Sequence, residues 1–513
     1  MLTASHSAPL TIGRGVINAA RRFPQQVAIE DGPRSLSYQQ LSERIQQIGA
    51  IAIHDVGLKR GDVVALISSN RLEYIEIVTG LAEAGLVVAT LNPYLSAAEL
   101  EEILGDCKPA LAIVEPSLVE HIACINEAGI RSILIGDDYE NMLEHSSKAF
   151  THAPLPEADE NAAFSICYTS GTTGRAKGVV LPHRSRALVG LASAIEYGCF
   201  GPGDRFLALA PMFHGAGFAF ALAAVSHGGS CVLHNGSDGE SILARLEQGD
   251  IQGVFMVPTH FKRIHDLPDE RFSGVAERHG LRTIISNAAA LSERFKILTV
   301  DRLGEGLLHE TYGSTEGGIV TNMRPECLLE KPESVGTPFI GMQVEIRKAD
   351  GSLCDTGEVG ELFARGPYTF IGYLNRDQAT HEALQDGWVT VQDLAVRDAD
   401  GFISIVGRSK DMIVSGGVNV YPAEVEKLIA ATNTVAEVAV VGFTDEEWGE
   451  RVHAFVVPHP GMSVDIDALL EHCKASLSRY KVPRGITLID ELPRNASGKI
   501  LKNVLRETQT PLR

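Results

Sequence analysis

Short apolar runs alternate with helical patterns over residues 36–150. Apolar runs that predict buried strands lie at residues 62–68, 87–91, 109–114 and 132–135. Residues 71–85 carry apolar side chains at helical spacing, and Ser96 with Glu99 forms a capping box that predicts the start of another helix. Strands that alternate with helices favour parallel sheets covered by helices, so this region is predicted to be α/β.

The last hundred residues show a second pattern. A strand is predicted at 402–406. Beyond it, strands are predicted at 435–441 and 453–457, and helices from about residue 423 and over 466–477. Pro422 suits the first turn of the earlier helix, because its missing N–H has no partner to lose there. The pattern predicts a small α+β domain of roughly a hundred residues.

The chain is too long, at 513 residues, for one ordinary core, so two or more domains are expected. A formal net charge of −20 argues against a general nucleic-acid binder. Residues 1–11 lack the basic and apolar regions of a signal peptide. The longest apolar run, 206–225, is interrupted by proline, histidine and glycines, which favours core and pocket wall over a transmembrane segment.

The eight cysteines are scattered and form no CxxC pair. The sequence therefore suggests neither a zinc site nor a disulfide framework. Reduced thiols in a cytoplasmic protein are the simplest interpretation.

A glycine-rich stretch at 168–178 follows an apolar run at 164–167 that predicts a strand. Glycines allow close approach to an anion, consecutive N–H groups can form an anion-binding nest, and hydroxyls and a lysine add donors. The stretch does not match the P-loop pattern GxxxxGK[ST]. It predicts a triphosphate cradle, the alternative being a flexible surface loop. The candidate nucleotide-binding residues are Thr169, Ser170, Gly171, Thr172, Thr173, Gly174 and Lys177.

This string resembles the phosphate loop of the adenylate-forming superfamily, which includes acyl-CoA synthetases, adenylation domains and luciferases. The superfamily usually has proline where this chain has Ala176. The resemblance extends over about residues 15–505 and is closest to acyl- or aryl-CoA ligases. It implies a large N-terminal AMP-binding domain at 1–409, built of parallel sheets layered with helices and a β-subdomain. It also implies a small, mobile α+β domain at 410–513.

The second strong motif is His-Glu-Thr-Tyr-Gly-Ser-Thr-Glu at 309–316. An aromatic ring can stack on adenine, a threonine hydroxyl can reach the α-phosphate, and a carboxylate is a ligand that Mg²⁺ prefers. The resemblance assigns these roles to Tyr312, Thr315 and Glu316. Alone, the motif could equally be a turn before a strand.

Two segments resemble the wall of the acyl pocket. In the first, at 210–218, His214 stands where amino-acid-activating relatives commonly have an aspartate that holds the substrate ammonium. A buried ammonium needs a compensating carboxylate, so the substrate is expected to lack an α-amino group. The second segment, at 286–290, usually reads Ser-Gly-Gly-Ala-Pro, and Asn287 and Ala290 depart from that pattern. Residues 287–289, among them the candidates Asn287 and Ala288, are predicted to lie between the adenine and the acyl chain, although an ordinary strand-to-helix turn also fits.

The resemblance supplies the remaining candidates. Asp393 and Arg408 are predicted to bind the ribose, and Gly416 and Gly417 to let a pantetheine arm pass. Lys410 matches the interdomain hinge. A capping aspartate and a charged β-turn are the local alternatives.

Lys499 lies in a loop, Leu-Pro-Arg-Asn-Ala-Ser-Gly-Lys-Ile at 492–500, and matches the lysine of the adenylation step. The candidate catalytic residues are thus Lys499, Thr315, Glu316 and His214.

The predicted reaction is attack of a carboxylate on the α-phosphate of ATP, followed by transfer of the acyl group to a thiol. The expected enzyme is an ATP-dependent acid–CoA ligase for a fatty or aryl acid, with ATP, Mg²⁺ and CoA as cofactors. A stand-alone adenylation enzyme that loads a carrier protein is the alternative. A nucleotide sensor would have lost Lys499, and a luciferase-type oxygenase is a further alternative. A homodimer is one expectation for the oligomeric state.

Overall fold

A computed structural model describes residues 8–146, 158–169, 176–445, 447–494 and 500–508. The chain divides into two compact units. The first unit contains Met1–Val344 and Ala364–Val389, and the second contains Glu345–Phe363 and Thr390–Arg513. This division does not test a hinge, so the domain boundary between residues 409 and 410 stays a prediction.

The helices cover most of the segments that the sequence predicts as helical. Within the described residues they are α1 (Ile12–Arg22), α2 (Tyr38–Ala50), α3 (Leu72–Glu83), α4 (Ala97–Cys107), α5 (Val119–Glu127), α6 (Asp137–Ser146), α7 (His183–Tyr197), α8 (Gly215–His227), α9 (Gly239–Leu246), α10 (Pro258–His265), α11 (Val275–Arg278), α12 (Glu293–Leu303), α13 (Asp377–Ala383), α14 (Pro422–Ala430), α15 (Ile466–Ser476) and α16 (Lys502–Glu507). The capping box at Ser96 opens α4 as predicted.

The strands are more numerous than the sequence pattern indicates. In the described ranges they are β1 (Val27–Asp31), β2 (Arg34–Ser37), β3 (Val63–Ile67), β4 (Val87–Leu91), β5 (Leu111–Val114), β6 (Ser132–Leu134), β7 (Ala163–Thr169), β8 (Lys177–Pro182), β9 (Arg205–Ala208), β10 (Ser230–Leu233), β11 (Gly253–Met256), β12 (Thr283–Ser286), β13 (Leu308–Ser314), β14 (Gly318–Met323), β15 (Thr337–Pro338), β16 (Gln343–Arg347), β17 (Gly360–Arg365), β18 (Gly372–Tyr373), β19 (Leu384–Gln385), β20 (Trp388–Val389), β21 (Asp393–Arg397), β22 (Ile403–Arg408), β23 (Ile413–Ser415), β24 (Val418–Val420), β25 (Val435–Asp445), β26 (Gly449–Pro458) and β27 (Gly485–Leu488).

The first unit contains two sheets with parallel centres. One has the strand order β18-β8-β7-β4-β3-β5-β6, and the other β15-β14-β13-β12-β11-β9-β10-β1-β2. In the second sheet the strands from β13 to β1 run parallel. Because carboxyl ends of parallel strands meet at one edge, the segments that follow β9, β12 and β13 lie at the same edge. These segments carry His214, Asn287 and Thr315. The predicted α/β class is confirmed.

The long apolar run at 206–225 forms β9, a turn and helix α8, whose residues are buried on several faces. The prediction of core rather than membrane span agrees with this arrangement. In the part of the chain that the structure describes, no helix is both long and apolar enough to cross a membrane.

The second unit is built on the hairpin of β25 and β26, in the order β24-β23-β26-β25 with β27 parallel beside β26. Successive side chains of a strand point to opposite faces. One face of the hairpin packs against α14 and α15 through Val440, Ala454 and Val456. The other packs against α16 through Ala439, Val441 and Phe455. The predicted α+β pattern is therefore present here.

Candidate active site

The glycine-rich loop connects two antiparallel strands. Thr169 at the end of β7 lies opposite Lys177 at the start of β8. The other predicted loop residues, Ser170, Gly171, Thr172, Thr173 and Gly174, lie outside the described residues. β7 also pairs in parallel with β4, so Thr169 lies at the carboxyl edge of the first sheet. The pairing brings the two ends of the predicted phosphate cradle together.

Thr315 and Glu316 lie in a tight turn between β13 and β14. The Ser314 hydroxyl accepts a hydrogen bond from the Gly317 N–H at 2.9 Å, which closes the turn. A Cβ on Gly313 would lie 2.0 Å from the Gly318 carbonyl oxygen, so the strand needs glycine there. Tyr312 precedes this point and lies opposite Thr321 in β14. The structure therefore brings the three residues of the second motif into one strand and its turn.

Glu316 is almost fully buried, with 7% of its surface exposed. The Tyr373 hydroxyl donates to Glu316 Oε1 at 2.7 Å, and the Phe370 N–H donates to the Glu316 carbonyl at 2.8 Å. The buried Arg186 guanidinium donates to the Thr315 carbonyl at 2.7 Å, and burial lowers the pKa of Arg186. The turn is thus held from two sides, by α7 and by the segment that ends in β18.

These surroundings fit a magnesium ion held mostly by its substrate. Within the described ranges, no group of three or more histidine, cysteine, aspartate or glutamate side chains forms a metal cage. Mg²⁺ is commonly bound through one or two carboxylates together with phosphate oxygens and water. A single buried carboxylate such as Glu316 suits that mode.

Asn287 is turned toward β13. Its amide nitrogen donates to the Thr311 carbonyl at 3.0 Å and to the Thr311 hydroxyl at 2.6 Å. Ala288, which follows, has a φ of +79°, a left-handed conformation that favours glycine and costs an alanine about 1 kcal/mol. The side chain of Asn287 therefore fixes this turn to the strand that carries Tyr312, and Ala288 is exposed beyond it.

A buried ion pair supports the same turn and was not predicted from the sequence. The Glu310 carboxylate accepts from the Leu291 N–H at 2.9 Å and pairs with Lys296, which also donates to the Pro332 carbonyl at 2.5 Å. Both charged side chains are buried. The position of Glu310 within the 309–316 motif was the available signal, but its partner on α12 could not be read from the sequence.

His214 occupies the N-cap of α8, where its backbone N–H donates to the Pro211 carbonyl at 3.2 Å. Its ring centre lies 4.5 Å from that of Phe213, and burial lowers the pKa of His214. A Cβ on the next residue, Gly215, would lie 3.8 Å from the Thr315 methyl. His214 is therefore uncharged at neutral pH and lies at the end of α8 that approaches Thr315.

Gly217→Ala is expected to destabilise the protein by about 1–3 kcal/mol, because the new methyl would overpack a backbone that cannot yield. A Cβ on Gly217 would lie 2.2 Å from the Pro211 carbonyl oxygen. Urea unfolding measures the loss. Gly215→Ala, two residues earlier and free of such a clash, is the control and should be neutral or slightly stabilising. Equal unfolding free energies for the two variants would contradict the prediction.

The second unit places the two predicted ribose residues together. Asp393 in β21 lies opposite Arg408 in β22, and Arg408 Nε is 3.0 Å from Asp393 Oδ1. Gln392, where the superfamily usually has glycine, has a φ of +63°. Lys410 lies in a short 3₁₀ helix, Ser409–Asp411, and Asp411 pairs with Arg506 at 2.8 Å.

Gly416 and Gly417 form the turn between β23 and β24, with φ values of +61° and +77°. A Cβ on Gly416 would lie 2.8 Å from a ring carbon of Trp448, whose carbonyl accepts from the Gly416 N–H at 2.8 Å. A Cβ on Gly417 would meet no atom of the described chain within 4 Å. Local packing thus explains the first glycine, and backbone conformation explains both. Lys499 lies outside the described residues, next to Ile500, which pairs with Arg494.

Comparison with known proteins identifies the class to which these motifs belong. The AMP-binding enzyme family matches residues 16–374, and the AMP-binding enzyme C-terminal domain matches residues 424–499. The chain therefore belongs to the family of AMP-binding enzymes.

Named relatives narrow the class. The chain is 34% identical to an indoleacetate–CoA ligase of Aromatoleum aromaticum, over 94% of this chain and 95% of that protein. It is 33% identical to a feruloyl-CoA synthase of Amycolatopsis sp., over 96% and 98%. A solved o-succinylbenzoate CoA synthetase of Bacillus subtilis, in complex with its acyl-adenylate intermediate, superposes with a TM-score of 0.84 at 26% identity. The match covers 97% of this chain and 98% of that one. The protein is an AMP-forming acid–CoA ligase.

Proposed function

We propose that this ligase activates an aromatic or arylalkanoic acid as its acyl-adenylate and transfers the acyl group to the thiol of CoA. The observation that supports this most is the position of the Thr315–Glu316 turn. A buried carboxylate suited to a nucleotide-bound metal lies beside Thr315, and Thr315 lies next to the end of α8 that carries His214. The phosphate-binding turn and the candidate acyl-pocket wall are thus neighbours within the first unit.

The first half-reaction is attack of the substrate carboxylate on the α-phosphorus, with pyrophosphate as the leaving group. Negative charge then develops on the phosphoryl oxygens, and preorganised donors stabilise it. We assign this task to Lys499, the Thr315 hydroxyl and the donors of the 169–177 loop. Mg²⁺, held by Glu316, would neutralise phosphate charge.

Nucleotide binding is assigned to three further side chains, one in the first unit and two in the second. Tyr312 would stack on the adenine. The Asp393 carboxylate would accept hydrogen bonds from the ribose hydroxyls, with Arg408 fixed beside it by their ion pair.

In the second half-reaction the CoA thiol attacks the acyl carbonyl and AMP leaves. We assign passage of the pantetheine arm to Gly416 and Gly417, and a hinge between the domains 1–409 and 410–513 to Lys410.

The substrate class is proposed from pocket chemistry and from the relatives. Histidine has no carboxylate to pair with a substrate ammonium, and burial lowers the pKa of His214, which disfavours a charged side chain there. The two relatives described above are named for indoleacetate and ferulate, both acids with an aromatic ring. We therefore favour an aryl acid over a fatty acid and over an amino acid.

The proposal also covers the acyl acceptor, the cellular compartment and the oligomeric state. CoA is favoured over a carrier-protein phosphopantetheine because the named relatives are CoA ligases and synthases. All eight cysteines are free thiols, which suits the reducing cytoplasm. A homodimer stays an expectation.

A pyrophosphate-release screen tests the proposal. The purified protein is incubated with ATP, Mg²⁺ and indoleacetate, ferulate, 2-succinylbenzoate, octanoate or phenylalanine, with CoA or with a phosphopantetheinylated carrier protein as acceptor. We expect an aryl acid to give the highest rate and a CoA thioester to accumulate. Faster turnover of phenylalanine would contradict the role given to His214. Acylation of the carrier protein in preference to CoA would identify the alternative acceptor.

A further inference from the structure

Tyr373 joins the two predicted phosphate-binding segments of the first unit. Its hydroxyl donates to Glu316 Oε1 at 2.7 Å, and Lys177 Nζ lies 5.0 Å from the centre of its ring. Glu316 follows β13 and Lys177 begins β8, so the two charged residues come from different sheets. Tyr373 lies between them in β18, which pairs with β8.

Several contacts of the backbone and of the ring hold Tyr373 in place. Its N–H donates to the Thr380 hydroxyl at 2.8 Å, and that hydroxyl donates to the Arg376 carbonyl at 2.9 Å. A Cβ on Gly372 would lie 2.8 Å from the Thr380 methyl, so this close approach needs glycine. The ring also packs edge-on against Phe370, with ring centres 5.1 Å apart. Tyr373 therefore presents its hydroxyl to Glu316 from a fixed place.

We propose that Tyr373 is a positioning residue that orients the Glu316 carboxylate for the nucleotide-bound Mg²⁺. A hydrogen bond to Oε1 fixes the orientation of the Glu316 carboxylate, so its other oxygen would remain available to a metal ion. Partners that hydrogen-bond to a metal ligand typically contribute 10–100-fold to metal affinity. The proposal rests on the assignment of Glu316 to Mg²⁺ in the proposed function, but it needs neither the acid nor CoA.

Tyr373→Phe isolates the hydroxyl. Phenylalanine keeps the ring that packs on Phe370 and faces Lys177, and the hydroxyl that donates to Glu316 is lost. The matched control is Tyr368→Phe, in the same segment, because the Tyr368 hydroxyl donates to the Ile340 carbonyl at 2.6 Å and not to Glu316. Both variants remove one buried hydroxyl hydrogen bond, so a general loss of stability would affect both.

Metal binding is measured directly, without turnover. Mn²⁺ binding to the protein is followed by electron paramagnetic resonance in the presence of the non-cleavable analogue α,β-methylene-ATP, and analogue binding without metal is followed by calorimetry in EDTA. In Tyr373→Phe we expect Mn²⁺ affinity to fall about 10-fold while metal-free nucleotide affinity stays within about twofold of wild type. Tyr368→Phe should leave both unchanged.

A double-mutant cycle with Glu316→Gln tests whether the effect of Tyr373 on Mn²⁺ affinity depends on Glu316. If Tyr373 acts through Glu316, Tyr373→Phe should cause no further loss of Mn²⁺ affinity in the Glu316→Gln background. Equal Mn²⁺ affinities for the two tyrosine variants, or additive losses in the cycle, would overturn the proposal. Wild-type binding of Mn²⁺ and analogue without thioester formation from any acid would instead count against the proposed function and leave this inference standing.

Discussion

Lys499→Ala is expected to slow acyl-adenylate formation by about 10²–10³-fold, because a cation that stabilises transition-state charge contributes a few kcal/mol. The second half-reaction should be spared, because the thiol attacks the acyl carbon and AMP leaves with the bonding electrons, so the attack at phosphorus assigned to Lys499 does not recur. Pyrophosphate release measures the first step. Thioester formation from synthetic acyl-adenylate and CoA measures the second.

Lys502→Ala is the matched control for that prediction. It removes the same charge three residues later, where Lys502 Nζ pairs with Glu426 at 2.6 Å in the second unit. That variant should keep both half-reactions within about twofold of wild type, because this partly buried ion pair lies within the second unit and Lys502 has no assigned part in the chemistry. Pyrophosphate release at the wild-type rate in Lys499→Ala would refute the assignment, and equal loss of both half-reactions would point to misfolding instead.

Periodicity predicted the elements of the first sheet well. Strand β4 was predicted at its observed bounds, and the capping box at Ser96 placed the start of α4. These features are local, because a buried strand or a helix cap depends on a few consecutive side chains. Strand β8 was missed because residues 178–181 form a short apolar run directly after the glycine-rich loop, and nothing local shows that it folds back onto β7.

Helix α8 was recognised as core but not as a helix. It is buried on several faces, so its sequence lacks the amphipathic spacing that marks a surface helix. Asn287 and Gln392 depart from the residues that the superfamily usually has at these positions, and the conformations of their turns could not be predicted. The sequence shows that Gln392 replaces the usual glycine, but the positive φ at Ala288 and Gln392 follows from how each turn meets its neighbouring strand.

Sequence patterns could not predict the contacts of Tyr373 and Glu310, because each contact joins two separate elements of the fold. Tyr373 meets Glu316 across 57 residues, and Glu310 meets Lys296 from the neighbouring helix. The 309–316 motif contains Glu316 and Glu310, but their partners Tyr373 and Lys296 are identified only by the fold. Sequence motifs can therefore propose which side chains carry the chemistry, but the side chains that hold them in place become visible only in the fold.

The first unit is expected to lose stability steeply as the pH falls below about 6.5. Burial lowers the pKa of several histidines to about 4, and these are His183, His260, His265 and His309 in the first unit and His453 in the second. Between pH 6.5 and 4 the unfolded chain binds protons that the folded chain does not, so the free energy of unfolding rises with pH and falls on acidification. The histidine contribution is fully present above pH 6.5.

The size of the effect follows from the number of protons. Four such histidines in the first unit give a slope of at most about 5 kcal/mol per pH unit near pH 5.5. A folded unit has only about 5–15 kcal/mol of stability. Glu76, whose pKa burial raises to about 7, offsets about one of these protons. The first unit should therefore be much less stable at pH 5.5 than at pH 7.5, while the second, with one such histidine, should change less.

Urea unfolding at pH 7.5, 6.5 and 5.5, followed by hydrogen exchange in each unit, checks this prediction. His265→Asn is the informative variant, because His265 Nε2 lies 2.9 Å from the Thr299 hydroxyl in the core and an amide keeps a polar partner there. It should remove about one proton from the pH dependence of the first unit and none from that of the second. His453→Asn, which faces the Thr487 hydroxyl at 2.8 Å, should do the reverse. Unfolding free energies that stay constant between pH 7.5 and 5.5 would show that the folded and unfolded chains bind the same number of protons over this range, and would refute the prediction.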